Sequence, residues 1–320
     1  MSRPCILDCD PGHDDAIALL LAAAHPELDL RAITTVGGNA TLDKVTLNAR
    51  RVCTLAGLRD VPIAAGAEGP ADRPLEPARD VHGESGLDGA ELPEPDVPLD
   101  PRPAGELIAD TLAAAAEPVT IFATGPLTNI AAALEHVPID RIREIVWMGG
   151  STERGNREPY AEFNAWVDPP AAAAVLAGGV PFTMVGLNLT HQARATEQVL
   201  ARMRALGTPL GDAIAGWLAF FGARYRSLFG ADSPPVHDPC AVALVAEPGV
   251  IRCVDAFMAV ETEGRWTRGA TVVDLGGRYG REPNARIAME LDADRFWDIV
   301  VTAVERLGLR SSDAARTIET

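Results

Sequence analysis

Residues 6–22 read ILDCDPGHDDAIALLLA. A short apolar run ends in Asp8 and Asp10, a Pro11–Gly12 turn follows, and the apolar residues beyond it fit a helix. Strand alternation places Asp8 and Asp10 on one face at the carboxyl end of the strand. Asp14 and Asp15 fall in the first helical turn, where free N–H groups and the helix dipole favour carboxylates. Capping accounts for one of these acids but not for four within eight residues. Clustered carboxylates repel one another unless a cation offsets them, and oxygen-only donors select a hard ion such as Ca²⁺ or Mg²⁺.

Outward from this corner the chain keeps the same rhythm. Strand patterns at Cys5–Cys9, Leu30–Val36 and Val61–Ala65 alternate with helical ones at Asp15–Ala24 and Leu42–Ala56. The alternation resumes with helices at Ala104–Ala116, Leu127–Glu135 and Pro170–Ala177 and strands at Val119–Ala123, Ile142–Met148 and Val180–Val185. This predicts an α/β fold with an open, mostly parallel central sheet covered by helices, whose ligands bind beyond the strand carboxyl ends. Residues 196–229 read as helical. Ala256–Glu261 with Thr271–Asp274 read as a small antiparallel hairpin, and a last helix runs from Ala293 to about Leu307. The Pro-, Gly- and acid-rich gap at 66–103 is too long for an idle loop and reads as an active-site flap. With no internal repeat or linker, residues 1–310 are expected to form one catalytic domain, followed by a polar tail at 311–320.

The 320 residues are 47% hydrophobic and 23% charged, a balance that excludes disordered and fibrous classes. With 28 basic against 45 acidic residues the net charge is −17, which disfavours nucleic acid and anionic membrane as partners. Most of that charge serves solubility. The five cysteines, Cys5, Cys9, Cys53, Cys240 and Cys253, show no metal-site spacing, and with no signal-peptide pattern they point to the cytoplasm. Lys44 is the only lysine.

A D-x-D at the end of the first strand is also where haloacid-dehalogenase-type phosphatases hold their aspartates. That chemistry calls for a lysine beside the phosphoryl group, and Lys44 falls too early in the chain. The longer string at 6–22 instead resembles the signature of the inosine-uridine-preferring nucleoside hydrolases. The likeness continues through GGNAT (37–41), VHGESGLDG (81–89), ATGPLTNIA (123–131), MGG (148–150), GN-x-x-x-x-AEFN (155–164) and HDPCAV (237–242). Within the family, CDPGHDDAIA, HGESGLDG and HDPC look most like the bacterial pyrimidine-specific ribonucleoside hydrolases. Broad or purine (inosine) preference is the alternative.

The resemblance implies a Ca²⁺-dependent hydrolase that releases ribose and a free base, working as a homotetramer. It places Ca²⁺ on Asp10, Asp15, the Thr124 carbonyl and Asp238, with Asp14 as the base that deprotonates water. It assigns ribose contacts to Asn39, Met148, Asn156, Glu162 and Asn164, with Asp238 also beside the sugar. His237, next to Asp238, is the expected proton donor to the leaving base. His82, in the flap, would close over the base.

Blander readings stand beside these. Asp14 serves equally as a helix N-terminal acid, the 155–164 loop as a set of Asx turns, and Met148 as core. Phe221, Tyr225 and Phe229 recur at helical spacing and fit core packing as well as a wall for the base, with Tyr225 the first candidate for contact. His13, flanked by acids, is expected to face solvent, and His25, His136 and His191 lie outside the motifs. A non-catalytic nucleoside- or calcium-binding protein is the rival from another class. The complete set of motif residues counts against it.

Overall fold

The computed structural model describes residues 2–318, and the side chains of Phe229 and of residues 310–318 lie outside that description. Strand β1 (Arg3–Cys9) is buried beyond its first residue, as a central parallel strand must be. Its alternation serves two cores: Cys5, Leu7 and Cys9 join one apolar cluster and Ile6 the other. After it come α1 (His13–Ala24), β2 (Leu28–Thr35), α2 (Leu42–Leu55), β3 (Ile63–Ala65) and the short α3 (Arg79–His82). The middle of the chain forms α4 (Ala104–Ala114), β4 (Val119–Ala123), α5 (Thr128–Leu134), β5 (Ile142–Met148), α6 (Phe163–Val167), α7 (Pro169–Ala177) and β6 (Phe182–Val185). The last third holds α8 (Leu187–Thr190), α9 (Glu197–Ala205), α10 (Pro209–Phe229), α11 (Pro239–Ala246), β7 (Ile251–Val260), β8 (Thr271–Asp274), β9 (Ala285–Leu291) and α12 (Ala293–Ile318).

The nine strands are ordered β3-β2-β1-β4-β5-β6-β9-β7-β8. Strands β3 to β6 in this order run parallel, β9 joins β6 in parallel, and β7 and β8 close the far edge antiparallel. The chain winds outward from β1 to β3 and then returns to the other side of β1 as β4. The switch in direction therefore falls between β1 and β4, and a crevice opens beyond their carboxyl ends, where Asp10 and Thr124 emerge. Helix α1 is apolar nearly all round and buried, packed on β1 and β2 and under α10, α11 and α12.

The expected hairpin is present, paired from Phe257↔Asp274 to Val260↔Thr271. Strand β9 went unread because Arg286 and Glu290 interrupt its apolar run. The single helical stretch expected over 196–229 is two helices. Gly207 adopts φ +62°, the Thr208 hydroxyl accepts from the Gly211 N–H at 3.1 Å, and Pro209 opens α10. Helix α12 extends past the expected end at Leu307, so 311–318 of the expected tail continue it, and residues 319 and 320 lie outside the described residues.

The 66–103 connection covers the crevice as expected but is strapped down. Asn48 Nδ2 donates to Ser85 O at 2.9 Å and to Pro11 O at 3.0 Å, the Ala78 N–H donates to Asn39 O at 3.1 Å, and Lys44 Nζ donates to Glu84 O. Its backbone also seats on α10, where a Cβ at Gly216 would come within 2.5 Å of Gly89 O. Alanine should stabilise a helix interior relative to glycine by about 1 kcal/mol. Gly216→Ala is nevertheless expected to destabilise the protein by about 1–3 kcal/mol through this clash. A urea midpoint that stays or rises would show that the strap does not rest on α10.

Candidate active site

The turn Asp10-Pro11-Gly12 aims the acids of the first corner into the crevice. Asp15 caps α1, one oxygen accepting from the Gly12 N–H at 3.0 Å and from Asn39 Nδ2 at 3.0 Å. Its other oxygen accepts from the Thr124 hydroxyl at 2.7 Å and from the Asp10 N–H at 3.3 Å. Asp10 Oδ2 accepts from the Asn39 N–H at 2.7 Å, whereas Oδ1 is enclosed with no hydrogen-bond partner among the described residues. Asp238, opening α11, brings its carboxylate to those of Asp14 and Asp15, with ligand atoms of the three within 4.8 Å of one another.

All four acids are buried, and their pKa values are raised. Desolvation is the leading cause in each and neighbouring carboxylates push Asp10, Asp14 and Asp238 further; Asp14 reaches about 7. A buried, all-oxygen set with one orphaned carboxylate oxygen suits a hard cation. Asp8 stands apart from this group. It accepts from the Thr34 hydroxyl at 2.6 Å and from Asn129 Nδ2 at 2.8 Å, tying β1 to β2 and α5.

Above the acids lies a cavity of about 250 Å³. Asp14, Asp238 and Thr124 form its floor, while Asp10 and Asp15 lie beneath the lining. Asn39, Met148, Asn156, Glu162 and Asn164 line it, as expected of sugar-binding positions. Asn164 spends its amide N–H groups on the carbonyls of Thr124 at 2.9 Å and Met148 at 3.0 Å, leaving its Oδ1 as the group available to a ligand. The Glu162 carboxylate caps α6, accepting from the N–H groups of Asn164, Ala165 and Gly150 at 3.0, 3.1 and 2.9 Å. Desolvation raises its pKa to about 7. Asn156 Oδ1 accepts from the Phe163 N–H at 2.9 Å, seven residues on, a bond across the loop rather than an Asx turn.

His82, Phe221, Tyr225 and His237 form the opposite wall. Tyr225 Oη lies 3.3 Å from His237 Nε2, and Thr190 Oγ1 lies 2.7 Å from His237 Nδ1. The His237 N–H donates to Asp14 at 3.1 Å, and burial lowers the imidazole pKa to about 3. Phe221 stacks on His13 and His82, so the aromatic stripe is core and cavity wall at once; the Phe229 side chain lies outside the described residues.

His13 does not face solvent as expected. The ring is fully enclosed, because the strap closes over the start of α1 and stacks it between His82 and Phe220. Sequence reasoning also passed over His191, whose ring centroid lies 5.9 Å from that of His237, and Arg157, which lines the cavity and stacks on Trp166. Arg157 stands at an unspecified position of the 155–164 string, and His191 follows α8 outside every motif, so neither carries a signal of its own.

The family model of the inosine-uridine preferring nucleoside hydrolases matches residues 5–298. The chain belongs to this family. Similar relatives include proteins described as pyrimidine-specific ribonucleoside hydrolase RihA. The one from Citrobacter koseri is 45% identical over 315 residues, covering 98% of this chain and all of that one. The one from Photobacterium profundum is 45% identical over 306 residues, covering 94% and 98%. Among solved structures, a purine-preferring ribonucleoside hydrolase from Gardnerella vaginalis matches with a TM-score of 0.89 at 30% identity, covering 96% and 99%. An inosine-uridine preferring nucleoside hydrolase from Bacillus anthracis shares the fold, with a TM-score of 0.76 at 22% identity, covering 95% and 99%.

The chain is thus a nucleoside hydrolase acting on N-glycosidic bonds. In this setting the three N–H groups held by Glu162 shape the loop that carries Asn164. Glu162→Ala would leave them unsatisfied at about 1–3 kcal/mol each if they stayed buried and dry. The expected outcome is a lower urea midpoint together with loss of nucleoside hydrolysis. An unchanged midpoint would show that the cap is dispensable.

Proposed function

We propose that this chain is a Ca²⁺-dependent ribonucleoside N-ribohydrolase that favours uridine and cytidine and releases ribose and the free base. The metal reading is carried by the buried carboxylates of Asp14, Asp15 and Asp238 within 4.8 Å, beside the orphaned Asp10 Oδ1. Asp10, Asp15, Asp238 and the Thr124 carbonyl would hold the ion. Bound there, Ca²⁺ would offset the clustered negative charge and acidify a coordinated water.

Asp14 takes the proton from the attacking water, its elevated pKa suiting a general base. Asn39, Asn156, Asn164, Met148 and Glu162 frame the ribose, and Asp238 accepts from its hydroxyls as the ring flattens toward an oxocarbenium ion. To act as the acid, His237 takes the imidazolium form, in which Nδ1–H donates to the Thr190 hydroxyl and Nε2–H lies beside Tyr225. The Nε2 proton passes to the base as negative charge builds on it, a charge that favours the imidazolium that burial alone disfavours, and a neutral imidazole remains. His82 and Tyr225 contact the base.

Pyrimidine preference is supported by the relatives described as pyrimidine-specific at 45% identity, against 30% for the purine-preferring structure. Residues 1–310 would act as one catalytic domain, in a cytoplasmic homotetramer that light scattering would register as four chains.

Asp10→Ala is expected to lose bound Ca²⁺ and to cut uridine hydrolysis by at least about 10²–10³-fold, the scale for removing one preorganised electrostatic group. Full activity in this variant, or in metal-stripped protein, would sink the mechanism. His237→Ala should slow uridine by about 10²–10⁴-fold while sparing p-nitrophenyl riboside, whose leaving group needs little protonation. Equal losses on both would remove the proton donor role. Parallel turnover of uridine, cytidine, inosine and adenosine tests the base preference.

A further inference from the structure

His13 and His82 form a hydrogen-bonded imidazole pair, with His82 in the cavity lining and His13 buried behind it. Their Nδ1 atoms lie 3.1 Å apart, and His13 Nε2 lies 2.7 Å from the carbonyl oxygen of Asp88. The close approach depends on Gly12, where a Cβ would sit 2.5 Å from His82 Nδ1. Both rings are buried, stacked at a centroid distance of 5.3 Å, and each stacks on Phe221. Neither ring has a carboxylate or other anion among its hydrogen-bond partners, so a charge on either would be buried unpaired, and the pair is held neutral.

Hydrogen-bond logic then fixes both tautomers. A carbonyl oxygen only accepts, so His13 carries its proton on Nε2 and has a lone pair on Nδ1. The contact between the two Nδ1 atoms makes His82 the donor there, which leaves a lone pair on His82 Nε2. That nitrogen has no hydrogen-bond partner among the described residues, and it is absent from the enclosed unpartnered atoms, so it opens to the cavity that His82 lines.

We propose that the Asp88 carbonyl, acting through His13, fixes His82 as a hydrogen-bond acceptor toward the nucleobase, so that the site selects bases presenting an N–H to it. Uracil N3–H and the exocyclic amine of cytosine have this character. His82 is then a specificity residue rather than a proton donor, and His13 is a positioning residue. The inference rests on the nucleoside-hydrolase reading of the cavity.

The nitrogen NMR spectrum of ¹⁵N-histidine-labelled enzyme without nucleoside reads the tautomers directly. The expected result is a protonated Nδ1 and unprotonated Nε2 on His82, with the reverse on His13. A protonated Nε2 on His82 would overturn the proposal. Turnover supplies the second readout. Wild-type kcat/KM should fall at least about fivefold from uridine to 3-methyluridine, which lacks N3–H. His13→Phe keeps an aromatic ring but removes the acceptor, and should shrink that ratio toward one. His13→Asn, whose amide oxygen still accepts from His82, should retain it. An unchanged ratio in His13→Phe would overturn the coupling. Should His13→Phe fail to fold, the wild-type spectrum still decides. Absence of any nucleoside turnover would defeat the functional reading, while the spectrum would still judge the tautomers.

Discussion

Charge repulsion among buried carboxylates is the constraint around which this molecule is built. Asp10, Asp14, Asp15 and Asp238 converge in a corner closed to solvent, drawn from the first strand end, the first helical turn and the start of α11. Burying one unpaired charge is costly, and gathering four multiplies the cost unless a cation or protons offset them. The surroundings soften the problem with aimed donors: the Gly12 and Asn39 N–H groups, the Asn39 amide and the Thr124 hydroxyl. None of these reaches Asp10 Oδ1.

The sheet makes such a concentration structurally tolerable. Its switch between β1 and β4 opens a crevice, and α1, apolar beyond its first turn and wedged under α10–α12, holds the acid-bearing turn in place. The strap over 66–103 then roofs the corner and brings His82 to the wall, while α10 carries Phe221 and Tyr225 to the same side. Floor, sugar-facing loop and base-facing wall therefore come from segments far apart in sequence, each fixed by its own backbone hydrogen bonds.

Much of this was legible in the sequence, for local reasons. Strands with unbroken apolar runs and the acid-rich turn announce themselves within a few residues, and the motif string carried the family. Strand β9 hid behind Arg286 and Glu290, and the break before α10 lay in Gly207-Thr208-Pro209, a signal present but masked by continuing helical periodicity. His13 was misread because its exposure is set by the strap and α10, not by its acidic neighbours. Glu162 reaches the cavity lining where its motif put it, while its capping of α6 and its bond to the Gly150 N–H went unread. Tertiary closure rather than local pattern decided the burial of His13.

Titrating Ca²⁺ into metal-stripped protein while following both Tm and uridine hydrolysis tests the central claim most directly. A cation that binds the folded corner alone must stabilise it by mass action. The account predicts that Tm and activity rise together and saturate over the same Ca²⁺ range at one ion per chain. Full hydrolysis in the stripped protein, with a Tm indifferent to Ca²⁺, would contradict it.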